Sequence, residues 1–398
     1  MTPGLRHLRV FLALIDGGSV TAAARACHVT QPAASQALAR LQAEAGVALV
    51  RASPEGAQPT AAGVAYGLRV RRALARLDTA LAALAPRLIL TATRAQLVAL
   101  IALRDAENFS LAAVRLGLAQ PSVHRAVRQL ETEAGRPLFQ RAGRRIQPLR
   151  AAQTLADAAR LSFSELDQAA DELADLAGRE SGPLVIGAMP LSRSIILPRA
   201  LAEFRRLRPL LPIRVLDGPY DDLLAGLRRG EIDLLIGALR DPLPVADVAQ
   251  QALFADDLVL VARPGHPLAG VALPDPAALS RYPWAVPGQG TPARAMFERF
   301  LGSHDAARPA VIETASIMLM RELLALTDHI GCISRLQAQA EIARGALVVL
   351  DLRLTGTSRA IGLTTRTDWL PTPAQAQLVA LLVEVGRGVG QGDLSARR

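Results

Sequence analysis

The sequence predicts a mixed architecture: two small, mainly helical domains, each followed by a linker helix, and then a two-lobed α/β domain. Three observations lead there. One stretch of chain recurs, without a gap, at an offset of 89 residues. After each copy, apolar residues fall at coiled-coil spacing. From Gly182 onward, short apolar strands alternate with helical segments, the order of a parallel sheet.

The repeat is carried by particular residues. Gln31-Pro32 through Gln42 aligns with Gln120-Pro121 through Glu131. In the same register Leu8 matches Leu97, Asp16 matches Asp105, Ala23-Ala24 matches Ala112-Ala113, and Glu44-Ala45-Gly46 matches Glu133-Ala134-Gly135. One register held over so many positions is an internal duplication.

Each copy reads as a winged helix-turn-helix. Leu8, Phe11, Leu12 and Ile15 lie at helical spacing and predict a first helix. Ser19-Val20-Thr21 predicts a capped short helix over 21–26, whose alanines allow close packing. Pro32 sits in the first turn of a third helix, where its missing N–H is harmless. That helix turns Ala34, Ala37, Leu38 and Leu41 inward and Ser35, Gln36 and Arg40 outward. Gly46 stops it, and Leu49-Val50 begins the wing. The second copy repeats this through Leu97, Leu100 and Ile101, a cap at Asn108-Phe109-Ser110, and a third helix over 121–131.

These residues resemble the DNA-binding domain of LysR-type transcriptional regulators. Gly135-Arg136-Pro137-Leu138-Phe139-Gln140-Arg141 fits the family's run into the wing closely, and Gly46-Val47-Ala48-Leu49-Val50-Arg51-Ala52 fits it loosely. The resemblance implies a transcription regulator that binds double-stranded promoter DNA, works as a homo-oligomer, and makes contact with RNA polymerase.

Charge agrees with a polyanionic partner. The net charge is +9, and every one of the 45 basic residues is arginine, a bias that G+C-rich coding accounts for. Residues 94–152 carry +6 against +2 for residues 1–62, so the second copy is the more basic. Arginine supplies phosphate contacts, and side chains of the third helix read base edges. The second copy offers Gln120, Ser122, His124, Arg125 and Arg128 on its helix and Arg141, Arg144 and Arg145 on its wing. The first offers Ser35, Gln36, Arg40 and Arg51, and has Ala52, Glu55 and Gly56 where the second has its wing arginines. The second copy is therefore expected to dominate binding.

The linker helices follow. Val70, Leu74, Leu77, Leu81 and Leu84 form one heptad seam, ended by Pro86. Leu155, Ala159, Ser162, Leu166, Ala169, Leu173 and Leu176 form another, stopped by Gly178. In the resembled family one such helix per chain pairs antiparallel with its partner's. Here one chain has two, of net charge +4 and −5, which predicts pairing within the chain.

From Gly182 the predicted strands are 184–188, 212–216, 232–237, 258–262, 284–286, 330–333 and 360–364. Helices are expected over 192–207, 221–229, 318–326 and about 373–385. Two lobes joined by two crossings make a cleft. Gly187, Pro198, Gly230-Glu231-Ile232-Asp233-Leu234 and Arg263-Pro264-Gly265-His266-Pro267-Leu268 resemble the family's effector domain, which has the periplasmic-binding-protein fold. That implies a small-molecule effector, an organic acid or sugar derivative, met at strand-to-helix turns. The matching positions are Leu191, Ser192, Ser194, Tyr220, Asp221, Gln289, Thr291 and Ser316; Ser192, Thr291 and Ser316 also suit plain helix capping, and Asp221 suits an N-cap or first-turn acid.

No catalytic motif follows a strand, and the histidines are scattered, so no enzyme is expected. Cys27 and Cys332 have no metal-ligand spacing, and no metal or cofactor is expected. The start lacks a signal peptide's pattern and no apolar run reaches membrane-spanning length, so the expected location is cytoplasmic, with no membrane partner. The expected order is a winged helix-turn-helix over 1–62, a linker helix over 63–93, a second winged helix-turn-helix over 94–152, a dimerisation-type helix over 153–181, and a two-lobed α/β periplasmic-binding-protein-like effector domain over 182–390. Its first lobe would comprise about 182–257 and 358–390, and its second 258–357. The competing reading is a small-molecule-binding protein without regulatory DNA binding.

Overall fold

The two copies fold alike because the residues that make their contacts repeat. A computed structural model describes residues 3–53, 56–143, 145–272, 276–302, 310–352 and 354–390. The chain divides at Gly182 into two units. In the first, α1 (Leu5–Gly17), α2 (Val20–Ala26) and α3 (Gln31–Ala45) precede the hairpin β1 (Val50–Ser53) and β2 (Gly56–Pro59), then the long α4 (Ala61–Leu84). After a single turn, α5 (Leu88–Thr91), the pattern returns. It runs as α6 (Arg94–Ala106), α7 (Phe109–Leu116), α8 (Gln120–Ala134), β3 (Phe139–Ala142), β4 (Arg145–Pro148) and α9 (Arg150–Leu176).

Equivalent atoms do equivalent work. Ser19 Oγ caps α2 by accepting from Ala22 N at 3.1 Å, and Asn108 Oδ1 caps α7 by accepting from Ser110 N at 2.8 Å. Gln42 Oε1 accepts from Leu49 N at 2.9 Å, and Glu131 Oε1 accepts from Leu138 N at 2.8 Å; each clamps the start of its wing. The wing is tied back at a second point, Ala57 N to Gly18 O at 2.7 Å and Ile146 N to Glu107 O at 2.9 Å. Asp16 pairs with Arg71, as Asp105 pairs with Arg160. The helix capped by Ser19 begins at Val20, one residue before the predicted start, and α8 extends to Ala134 because Gly135 supplies the left-handed stop at φ 69°. Leu12 and Ile15 are half-buried, and Leu5, Val10 and Leu14 take fuller places in the core.

The linker helices pair within the chain. Arg69 reaches Glu172 and Arg72 reaches Glu165, so α4 and α9 run antiparallel. Val70, Leu74, Leu77 and Leu81 meet Leu155, Ala159, Leu166, Ala169 and Leu173 in one core. Arg69 is 1% exposed inside it. Its guanidinium donates to Glu172 at 2.5 Å, Glu165 at 3.0 Å and Gln168 at 3.3 Å. The 89-residue register shows why this pairing is favoured over a like pair. Two α4 helices would set Arg76, Thr79 and Ala83 where Arg69 now finds Glu165, Gln168 and Glu172. A buried guanidinium facing another cation is strongly disfavoured.

The second unit carries two five-stranded sheets. Its first elements are β5 (Leu184–Ala188), a 3-10 turn (Pro190–Arg193), α10 (Ile196–Leu207), β6 (Ile213–Leu216), α11 (Tyr220–Arg228), β7 (Leu234–Ala238) and β8 (Val248–Asp256). Next come β9 (Leu258–Ala262), α12 (Pro276–Leu279), β10 (Trp284–Val286), α13 (Pro292–Gly302), β11 (Val311–Glu313) and α14 (Ile317–Leu326). β12 (Ile330–Ser334), α15 (Arg335–Ala343), β13 (Val348–Val349), β14 (Arg359–Arg366) and α16 (Pro373–Gly390) complete it.

The sheets have order β6-β5-β7-β14-β8 and β11-β10-β12-β9-β13. β5, β6 and β7 are mutually parallel, and β14 returns antiparallel between β7 and β8. Leu184 and Ile186 join the core beneath α10 and α16, and Val185 between them joins Leu223, Leu224 and Leu227 of α11. Both faces are covered, hence the unbroken apolar runs.

One expectation fails here, and β8 was not foreseen. The helix predicted over 192–207 breaks into the 3-10 turn and α10 at Ile195, whose φ of −137° leaves the helical region; Pro198 has no N–H to donate to Ser194 O and its ring would crowd that carbonyl in an unbroken helix. β8 had no clear signature, since its inside-outside alternation slips at Ala252–Leu253, where its register with β14 shifts.

At Gly362 the strands come too close for any side chain. A Cβ there would lie 2.0 Å from Gln251 O, where the β14–β8 register shifts. Gly362→Ala is expected to lower stability by about 1–3 kcal/mol in urea unfolding. Gly302→Ala, which meets nothing within 4 Å, is the control.

Candidate functional site

In the second copy, Val123, Val127 and Leu130 bury one face of α8. The opposite face exposes Gln120, Ser122, His124, Arg125 and Arg128, as the spacing predicts. These side chains are not equally free. Arg128 is held by Glu131 at 3.2 Å, Gln120 accepts from Ser110 Oγ at 3.4 Å, and the His124 ring lies 5.1 Å from that of Phe109. Among the described residues Arg125 forms no salt bridge, and it is exposed. On the wing, Arg141 is exposed and Arg145 is 79% exposed, with Glu107 3.9 Å away. Arg144 and Glu55 lie outside the described residues.

The first copy is built alike and equipped less. Ser35, Gln36 and Arg40 are exposed on α3 and Arg51 on β1, and Arg40 Nε is held by Glu44 at 3.1 Å. An anchored helix whose free face carries hydrogen-bonding and cationic groups can enter a major groove, with the adjacent wing touching phosphate.

In the second unit a cleft opens between the sheets. Of the expected effector residues, Leu191, Thr291 and Ser316 line it. Thr291 Oγ1 accepts from Arg294 N at 3.2 Å at the start of α13, and Ser316 Oγ accepts from Leu319 N at 3.2 Å at the start of α14. Capping and cleft lining thus coincide. Ser192, Ser194, Tyr220, Asp221 and Gln289 do not line it. Ser192 is fully buried and donates to Met189 O at 2.7 Å, closing the 3-10 turn that replaced the expected helix. Asp221 and Gln289 are exposed. Tyr220 acts at one remove, its ring 4.2 Å beneath the guanidinium of Arg240, which does line the cleft.

Sequence reasoning missed Arg240, Ser334, Gln337 and Arg359, all in the lining. Ser334 caps α15, so the starts of α13, α14 and α15 all border the cleft, and helix N-termini favour anions. Arg359 Nη2 meets Asp256 at 3.3 Å, both nearly buried, while its Nη1 is buried with no partner among the described residues. Burial raises the Asp256 pKa, partly offset by Ser334 and Arg359, and burial lowers that of Arg359. Cys332, also in the lining, has its thiol pushed up to about 12 by burial and is not a nucleophile. His266 is structural: its Nδ1 accepts from Leu268 N at 3.1 Å, and burial lowers its pKa.

No helix among the described residues is long and apolar enough to cross a membrane. The family model described as "LysR substrate binding domain" matches residues 177–387. That described as "Bacterial regulatory helix-turn-helix protein, lysR family" matches residues 5–64 and again 95–153. The HTH-type transcriptional regulator GalR of Pseudomonas putida is 32% identical over 389 residues, 96% of this chain and 97% of the relative. The HTH-type transcriptional regulator PcaQ of Agrobacterium fabrum is 32% identical over 66% of this chain and 84% of the relative. Among solved structures, a full-length OxyR variant from Pseudomonas aeruginosa superposes with TM-score 0.52 at 20% identity, covering 74% of this chain and 94% of that one. Full-length CbnR complexed with its target DNA gives TM-score 0.51 at 18% identity, covering 73% and 98%; both show likeness of fold. The chain belongs to the LysR family of bacterial helix-turn-helix transcriptional regulators.

Proposed function

We propose that both copies read promoter DNA, residues 1–62 and 94–152 acting as two winged helix-turn-helix domains on linker segments 63–93 and 153–181. The observation that carries this is two third helices, each anchored by one face and exposed on the other, mounted on a single antiparallel helix pair. Residues 182–390 form the effector domain, with lobes of about 182–257 plus 358–390 and 258–357. A DNA partner places the protein in the cytoplasm. Effector domains of different chains associate as a homo-oligomer. Ligand-driven closure of the cleft changes how they sit on the promoter, and so alters DNA bending or contact with RNA polymerase.

The effector is a small organic acid in preference to a sugar derivative. Arg359 and Arg240 at the cleft, with three helix N-termini beside them, supply charge-assisted donors that suit a carboxylate.

The test has two arms. A duplex from the neighbourhood of the protein's own coding region should be retained in a gel shift at low salt. A screen of small acids and sugars should find acids that raise the melting temperature, since ligand at a hundred times Kd adds about 2.7 kcal/mol. Arg359→Met, its ligand-free stability measured first, is expected to lose the acid-induced rise while keeping DNA retention. Acids that bind with no duplex retained would favour the solute-binding alternative.

A further inference from the structure

We propose that a single chain reads two unlike half-sites, with a guanine facing Arg125 and an adenine at the matching position facing Gln36. The inference rests on the reading of both copies as DNA-binding, and adds which bases they choose.

Gln36 and Arg125 hold the same place in two frames built alike. Each is the sixth residue of its helix, α3 from Gln31 and α8 from Gln120. Both helices are fixed to their wings by the same clamp, Gln42 in one and Glu131 in the other. Gln36 and Arg125 are therefore presented alike, and both are exposed. Their neighbours are committed elsewhere: Glu44 holds Arg40 and Glu131 holds Arg128. What differs is the chemistry at the tip. A guanidinium donates two parallel hydrogen bonds to guanine O6 and N7, whereas a carboxamide accepts from adenine N6 and donates to N7.

An ordinary homodimer presents one helix twice and so selects a palindrome. Here the pair is made within one chain, and Arg69 with its partners on α9 disfavours the like pairing. Nothing then requires the two half-sites to match. Other equivalent positions diverge the same way, Ser35 against His124 and Ala39 against Arg128.

The experiment selects binding sites for the full chain from a randomised duplex library and maps them by footprinting. Wild type, Gln36→Arg and Arg125→Gln are compared; each variant borrows the residue that its sister position already carries. Wild type should enrich a non-palindromic site. Gln36→Arg should change adenine to guanine in one half alone, and Arg125→Gln should change guanine to adenine in the other alone. Each matched exchange should shift preference by about 10- to 100-fold. A palindromic site, or variants that alter affinity equally for all sequences, would overturn the proposal while leaving DNA binding intact. Failure to enrich any duplex at low salt would remove the DNA-binding reading and this proposal with it.

Discussion

Replacing Arg69 with alanine is expected to destabilise the N-terminal unit by about 3–5 kcal/mol, read as a lower midpoint in urea unfolding. The magnitude follows from what the substitution leaves behind. Glu165 and Glu172 now share this guanidinium, with side-chain exposures of 8% and 21% against 2% for Arg69. Their charges would stay in the interior with less compensation. Arg71, two residues further along α4, pairs with Asp16, but both side chains are about half exposed, so Arg71→Ala should lower stability by at most about 1 kcal/mol. Equal losses at the two positions would refute the assigned role of Arg69.

The double substitution of Arg125 and Arg141 by alanine should weaken operator binding by on the order of a hundredfold or more. A lost bidentate base contact accounts for about 1–3 kcal/mol, and a lost phosphate contact lowers the salt slope by about one. Alanine at both Arg40 and Arg51 should weaken binding by less than about tenfold, because Arg40 is held by Glu44 and the second copy keeps its own arginines. Titrations at two salt concentrations separate the contributions. Similar losses for the two double variants would overturn the ranking of the copies.

The N-terminal half was legible because its contacts are local and repeated. Caps, proline positions and the glycine stops at Gly46 and Gly135 each announce themselves within a few residues. The linker pairing was legible through the unlike charge of its helices, although the burial of Arg69 was not, since nothing distinguishes it in sequence from Arg71 or Arg72. In the C-terminal unit the buried parallel strands stood out as apolar runs. β8 did not, because its place is set by pairing along β14, more than a hundred residues later.

The cleft followed the same division. Thr291 and Ser316, positions that the family resemblance pointed to, line the cleft and also cap their helices. Arg359 was not foreseen, because it acquires its role only when β14 returns beside β7 and sets it against Asp256. In a chain whose basic residues are all arginine, residue type gave no hint of it.

The helix pair formed by α4 and α9 changes what dilution can do. Two subunits that must find one another separate as a cell holds fewer copies, and their joint grip on DNA fades with abundance. Tethered halves meet at an effective concentration set by the connecting chain, whatever the number of molecules present. On the proposed reading, in which both copies bind DNA, a regulator assembled this way would keep both readers on its promoter even when only a few molecules are made.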